Sequence, residues 1–137
     1  IRDKDLLGLA RKSGCRGLFI GIESLNMGNL QQSGSYNKNR SDSIQEISKK
    51  IERIQKKGIM VMASMIFGFD SDYPDVFEKT VDFLNENKVA LASLPILTPY
   101  PGTRIFEEMK AQGRIFDFNW ENYNNETPVF QPTHISV

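Results

Sequence analysis

Gly17-Leu18-Phe19-Ile20-Gly21-Ile22 is apolar on successive residues, not on alternate ones. That pattern belongs to a strand covered on both faces, as in a parallel sheet. A helical phrase precedes it. Asp3, Lys4 and Asp5 offer a cap and N-terminal acids, Leu6, Leu7 and Ala10 an apolar face, and Arg11 and Lys12 a basic last turn. Gly14 suits the left-handed residue that ends such a helix.

The same phrase returns twice. Ser41-Asp42-Ser43 opens a second helix, with Ile44, Ile47, Ile51 and Ile54 on one stripe and Gly58 as its stop. The strand Ile59 to Phe67 follows and closes on Gly68-Phe69-Asp70-Ser71-Asp72. The third helix takes its cap around Asp72 and has Pro74 in its first turn. Phe77, Val81 and Leu84 form its apolar face. The strand Val89 to Leu97 ends at Thr98-Pro99-Tyr100-Pro101-Gly102, and a last helix runs from about Thr103 to Ala111 with Gly113 as its stop. Alternating strands and helices imply an α/β protein of about three parallel βα units, either an open doubly wound sheet or part of a (β/α) barrel. In both, functional groups gather at the C-terminal ends of the strands.

Two stretches break the rhythm. Asn26 to Arg40 is polar and reads as a long loop after the first strand. Residues 117–137 have no clear period, and their aromatic residues are expected to pack on protein outside this chain. The expected division is therefore 1–116 as the βα part and 117–137 as the segment after it.

Composition narrows the function. The 137 residues carry 17 Lys plus Arg against 17 Asp plus Glu, so there is no electrostatic footprint for nucleic acid. No apolar run approaches the roughly 20 residues that span a bilayer, and no signal peptide is visible. The expected location is cytoplasmic. The chain opens on Ile1-Arg2-Asp3, which reads as an excised segment with its flanks missing. Cys15 is the only cysteine: it excludes an internal disulfide and cannot alone hold an iron–sulfur cluster. We expect it to be a small buried filler before the first strand. His134 is the only histidine, so no Ser–His–Asp set can be built, and no zinc spacing exists. No catalytic or metal-ligating residue is assigned.

The strand ends carry what chemistry there is. Glu23 and Ser24 close the first strand; a carboxylate there can accept from vicinal hydroxyls or an ammonium group, or the pair can simply cap the loop. Ser64 is a polar residue in an apolar strand, facing a ligand or bonding its own backbone. Gly68 and the acids after it lack the spacing and Lys of a phosphate loop. Asp70 and Asp72 can bind a hard cation, and more simply cap the next helix.

Gly21-Ile22-Glu23-Ser24 resembles the fourth-strand motif of radical S-adenosylmethionine (SAM) barrels. Ala63-Ser64-Met65-Ile66-Phe67-Gly68-Phe69 is similar to their fifth strand, and Thr98-Pro99-Tyr100-Pro101-Gly102-Thr103 to the loop after the sixth. Trp120-Glu121-Asn122-Tyr123, Val129-Phe130-Gln131-Pro132 and Ile135-Ser136 resemble the post-barrel segment of the cobalamin-binding-domain branch, which includes the hopanoid methylase-like group. The resemblance implies the later strands of a TIM-like barrel. It also implies a parent enzyme in which a 4Fe-4S cluster held by three cysteines binds SAM and cleaves it to a 5′-deoxyadenosyl radical, with cobalamin-dependent methyl transfer as one outcome. It further implies that Glu23 and Ser24 hold polar groups of SAM and that the backbone from Ser64 to Phe67, with Leu97 and Thr98, borders the adenine. Lys38 or Arg40 would meet the SAM carboxylate.

The cysteine triplet and the glycine-rich second-strand motif are not in this chain. Alone it would therefore neither hold a cluster nor cleave SAM, and the remainder of a parent protein is its expected partner. A partial barrel also exposes its first strand as an unpaired edge, which invites self-association. Two other readings remain: half of another (β/α) barrel that binds a phosphorylated substrate near Gly68 to Ser71, and a non-enzymatic interaction module that docks through the aromatic tail.

Overall fold

The computed structural model describes residues 4–26, 28–29 and 43–137. Three βα units follow one another: α1 (Lys4–Lys12), β1 (Gly17–Glu23), α2 (Ile44–Gln55), β2 (Met60–Met65), α3 (Val76–Glu86), β3 (Leu91–Ser93) and α4 (Arg104–Ala111). A 3-10 turn at Trp120–Asn122 lies in the closing segment. The strands are parallel and their order is β1-β2-β3.

Local chemistry sets the helix ends. Ser43 caps α2 in a full capping box: its side chain accepts from the Glu46 amide, and the Glu46 carboxylate accepts from the Ser43 amide. Thr103 caps α4 by accepting from Phe106 N. Gly14, Gly58 and Gly113 end their helices with positive φ, as expected of them.

The helices α1, α2 and α3 cover the same face of the sheet. Leu7 of α1, Ile51 and Ile54 of α2, and Phe83 of α3 pack with Ile22, Val61, Ala63 and Met65 in one buried cluster. Leu18, Ile20 and Cys15 are partly buried against it, and the Cys15 thiol donates to Gly17 O at 3.4 Å. On the other face the register sets Phe19 beside Met62 and Met62 beside Leu91. Phe19 is 63% exposed and Leu91 52%. Among the described residues β1 is thus covered on one face only, whereas its unbroken apolar run implies two-sided burial. Helices on one side and strands in sequential order are the arrangement of a segment of a (β/α) barrel, with the open face turned toward the barrel interior.

Several expectations shift. In α1, Leu7 is buried but Leu6 is exposed. In α3, Phe77 and Val81 are exposed, and the helix docks through Thr80 and Phe83, one residue around the cylinder. Phe77 instead lies against the Phe67 ring, centroids 4.9 Å apart. Asp75 precedes α3 and makes no side-chain cap bond, while Pro74 lies before the first turn. Asp72 turns inward instead of capping the helix. The third strand shrinks to Leu91–Ser93 because Pro95 has no N–H to give the ladder. Pairing resumes only as a lone Phe67–Ile96 bridge, with Phe67 N donating to Pro95 O and Leu97 N to Phe67 O.

Part of the closing segment packs on this chain. Ile115 and Phe130 form an antiparallel bridge. Tyr123, Val129 and Phe130 enter a second buried cluster with Phe69, Leu97, Phe106 and Met109. Arg114 and Thr133 both donate to the Asp70 carboxylate, at 2.7 and 2.8 Å. The tail therefore locks onto the loop after β2. Phe130→Ala should cost about 3–5 kcal/mol, the range for emptying a fully buried aromatic site. Chemical denaturation would measure it; a loss under about 1 kcal/mol would mean that the tail contributes little to this core.

Candidate functional site

Glu23 ends β1 in a strained conformation. Its φ is +69°, and Ser24 N donates across it to Ile22 O at 2.9 Å, so the residue is the centre of a γ-turn with positive φ, a rare and strained form. The ladder register slips at the same place, between Gly21 and Glu23. This turn folds the Glu23 side chain back over Gly21, and a Cβ at residue 21 would collide with Oε1 of Glu23. The glycine at 21 is what leaves room for the carboxylate on the open face of the sheet.

The register places Ser64 beside Gly21 and Ser93 beside Ser64. A polar row of Gly21, Ser64 and Ser93 therefore crosses the open face at the C-terminal end of the strands, with the Glu23 carboxylate above it. Partial burial raises the Glu23 pKa above its ordinary 4.5, and no cation or donor among the described residues opposes the effect. A partly buried carboxylate with no partner among the described residues, over a row of hydroxyls, can accept from a diol or an ammonium group.

A cavity of about 270 Å³ lies beside this row, where β2 and β3 end. Ile66, Pro95, Ile96, Leu97 and Thr98 line it, together with Tyr100 and Asn125. The Tyr100 hydroxyl donates to Asn125 Oδ1 at 3.0 Å, and Ile96 N donates to Asn125 O at 2.7 Å. The closing segment thus supplies part of the cavity wall.

Of the residues singled out from the sequence, Glu23 and Ser64 share the open face, and Leu97 and Thr98 border the cavity. Thr98 donates its hydroxyl proton to Ile96 O. Phe67 sits at the bridge to Ile96, with its ring on Phe77. Ser24 is buried, and its Oγ accepts from Asn26 N at 3.0 Å and from Asn29 Nδ2 at 2.8 Å. Lys38 and Arg40 lie outside the described residues. Ser93 was not singled out, because only the β2–β3 register aligns it with Ser64. Asn125 was missed because nothing local brings the tail to this cavity.

The loop after β2 is closed to phosphate. Asp72 Oδ2 accepts from Gly68 N at 2.9 Å and from Phe69 N at 3.1 Å, so the amides that would cradle an anion already hold a carboxylate. Burial raises the Asp72 pKa, while the bonds from Asn29, Gly68 and Phe69 oppose the rise. Among the described residues there is no group of three or more His, Cys, Asp or Glu side chains able to hold a metal ion, and no helix long and apolar enough to cross a membrane.

Parallel strands in sequential order, with α1, α2 and α3 on one face, are the arrangement of a (β/α) barrel segment. Known proteins share this chain. It is 36% identical over 132 residues to bacteriochlorophyllide d C-12(1)-methyltransferase of Chlorobaculum tepidum, covering 96% of this chain and 28% of that protein. The C-8(2)-methyltransferase of the same organism is 31% identical, over 82% of this chain and 24% of its own length. The anaerobic magnesium-protoporphyrin IX monomethyl ester cyclase of Rubrivivax gelatinosus is 27% identical, over 96% and 22%. Among solved structures, the radical SAM methyltransferase TsrM from Kitasatospora setae, with cobalamin and a 4Fe-4S cluster bound, superposes with a TM-score of 0.62 at 20% identity over 80% of this chain and 21% of that one. No family model matches. The chain belongs to the radical SAM superfamily. It spans about a quarter of the length of the curated relatives it matches.

Two outcomes test this geometry. Gly21→Ala should leave stability within about 1 kcal/mol, because the colliding atom is the free end of a flexible side chain. It should push the Glu23 carboxylate outward, and a carboxyl-resolved NMR titration should then find the Glu23 pKa moved back toward 4.5. An unmoved pKa would mean that Gly21 does not set the carboxylate's position. Glu23→Gln should stabilise the chain at neutral pH. The folded pKa is raised, so the ionised carboxylate opposes folding above that pKa, and this opposition fades as pH falls toward 4.5. Thermal melts at pH 7 and pH 4 should find the gain in the first and lose it in the second.

Proposed function

We propose that this chain forms part of the SAM-binding wall of a radical SAM enzyme and acts together with segments outside it. The observation that carries the reading is the Glu23 carboxylate: partly buried, unpartnered among the described residues, and cleared by Gly21 toward the open face. A carboxylate in that setting suits the ribose hydroxyls or the ammonium group of SAM, since a charge-assisted hydrogen bond offsets its lost hydration. Ser64 and Ser93 lie beneath it as further hydroxyl partners. The cavity along Ile66 and Ile96 to Thr98 would border the adenine, with Asn125 at its rim.

SAM thus fits the residues present. A 4Fe-4S cluster does not, because one cysteine cannot supply three thiolates. Its ligands would come from outside this chain, as would any cobalamin contacts. When bound beside such a cluster, SAM supplies a 5′-deoxyadenosyl radical or a methyl group. The role of this chain's residues would be to hold and orient SAM. Methyl transfer is the parent reaction we favour, since the methyltransferases at 36% and 31% identity are more similar than the cyclase. In this reading the solvent-facing edge of β1 would be covered by the rest of a barrel, and left uncovered it would self-associate.

Glu23→Ala in the full-length protein should weaken SAM binding by about 10- to 100-fold, the range for losing a hydrogen bond to a charged group. The variant should remain folded, because no described residue depends on that carboxylate. Isothermal titration calorimetry would measure it. Unchanged affinity in a folded variant would remove Glu23 from the site, and with it the main support for the reading.

A further inference from the structure

We propose that Asn29 and Asp72 are positioning residues for SAM recognition: a buried Ser24–Asn29–Asp72 bridge fixes the turn from which Glu23 presents its carboxylate. The inference rests on the reading of Glu23 given above and extends it to residues that touch no ligand.

The bridge joins the exits of β1 and β2. The Asn29 amide nitrogen donates to Ser24 Oγ at 2.8 Å and to Asp72 Oδ1 at 2.6 Å. Asp72 is anchored in turn by Gly68 N and Phe69 N on its second oxygen. Asn29 is fully buried and Asp72 nearly so. The remaining atom of the amide, Asn29 Oδ1, is buried without a hydrogen-bond partner. That orphan oxygen is informative. Burying an unpaired acceptor is costly, and the opposite amide orientation would set Oδ1 against the Asp72 carboxylate. The side chain is therefore held in its donor-bridging orientation despite the cost, and what it holds is Ser24.

Ser24 follows the strained residue directly. Its N–H closes the γ-turn onto Ile22 O, and its hydroxyl oxygen is committed to Asn29 and to Asn26 N. Glu23 O accepts from Ile66 N at 2.8 Å, so the backbone on one side of the turn is fixed to β2. A positive φ in a non-glycine residue persists only where its surroundings over-determine it. The bridge supplies that constraint from the other side. Without it, Glu23 is free to relax to negative φ, and its side chain swings away from Gly21 and the Ser64 row. A second tie, from Asn26 Nδ2 to Ser71 O at 3.1 Å, joins the same two loops but does not reach Ser24 Oγ from the Asp72 side.

A double-mutant cycle in the full-length protein separates positioning from general stability. The readout is affinity for S-adenosylhomocysteine, which carries the same ribose and amino acid groups as SAM. Asn29→Ala should weaken binding about tenfold in the native background and by less than about twofold in a Glu23→Ala background, because the bridge acts only through Glu23. Where Asn29→Ala does not fold, Asn29→Ser serves: it keeps a hydroxyl near Ser24 but cannot reach Asp72. Equal losses in both backgrounds would make the bridge merely structural, and no loss in the native background would overturn the proposal outright. If Glu23→Ala alone leaves affinity unchanged, the SAM reading itself falls. If Glu23→Ala weakens binding and Asn29→Ala does not, only the positioning role falls.

Discussion

The Asp72 carboxylate is the interaction on which the functional edge depends. Buried behind the loop after β2, it holds the Gly68 and Phe69 amides with one oxygen and Asn29 with the other. Phe69, so placed, is fully buried in the second cluster beside Phe130 and Met109. Asn29 carries the connection to Ser24 at the end of β1. One side chain thus links the turn that seats the tail's core to the turn that aims Glu23. A buried carboxylate is costly unless it is bonded on all sides, and here three donors share it. Its burial raises its pKa while those bonds pull it back, so it is held as an acceptor within a tight compromise.

The sheet explains why such a device is needed. Its helices α1, α2 and α3 lie on one face, so the sheet's stability comes from Leu7, Ile51, Ile54, Phe83 and their partners beneath it. Nothing in the described chain packs on the opposite face at Phe19, Met62 and Leu91. Groups that project there cannot be positioned by a core and must be positioned by the strand ends themselves. The slipped register, the glycine at 21 and the γ-turn at Glu23 are three local solutions to that one problem. In the family to which the chain belongs, the uncovered face is the interior of a barrel.

Much of the fold was legible because it rests on local rules. The Ser43–Glu46 capping box, the stripe Ile47, Ile51 and Ile54, and the helix-ending glycines at 14, 58 and 113 each depend on residues a few positions apart. Glu23 and Ser64 were legible as polar residues in apolar strands. What was not legible depends on distant chain. Docking through Thr80 and Phe83, in place of Phe77 and Val81, is decided by the approach of α3 to the sheet. The pairing of Ser93 with Ser64 is a matter of register, and Asp72 reads as a helix cap until the fold brings Asn29 to it. The tail's lack of period concealed a packed segment, because Val129 and Phe130 are buried through a single bridge and a salt link, not through a repeating element.

The costs in this chain are concentrated. A non-glycine residue at φ +69°, a carboxylate that burial makes reluctant to ionise and an orphan amide oxygen all occur at or beside the exit of β1. Elsewhere α2 and α4 carry side-chain caps, and the core side chains pack into two clusters. Natural sequences keep local preference and global fold in agreement except where function demands otherwise. Strain and unpaired polar groups gathered at one strand end are therefore a functional signature independent of any likeness to known proteins. The motif Gly21-Ile22-Glu23-Ser24 falls on this same exit, so resemblance and energetics point to one place in the fold. The energetic argument adds what the motif alone does not contain: a side chain at residue 21 would meet the Glu23 carboxylate, and Ser24 is turned inward to Asn29.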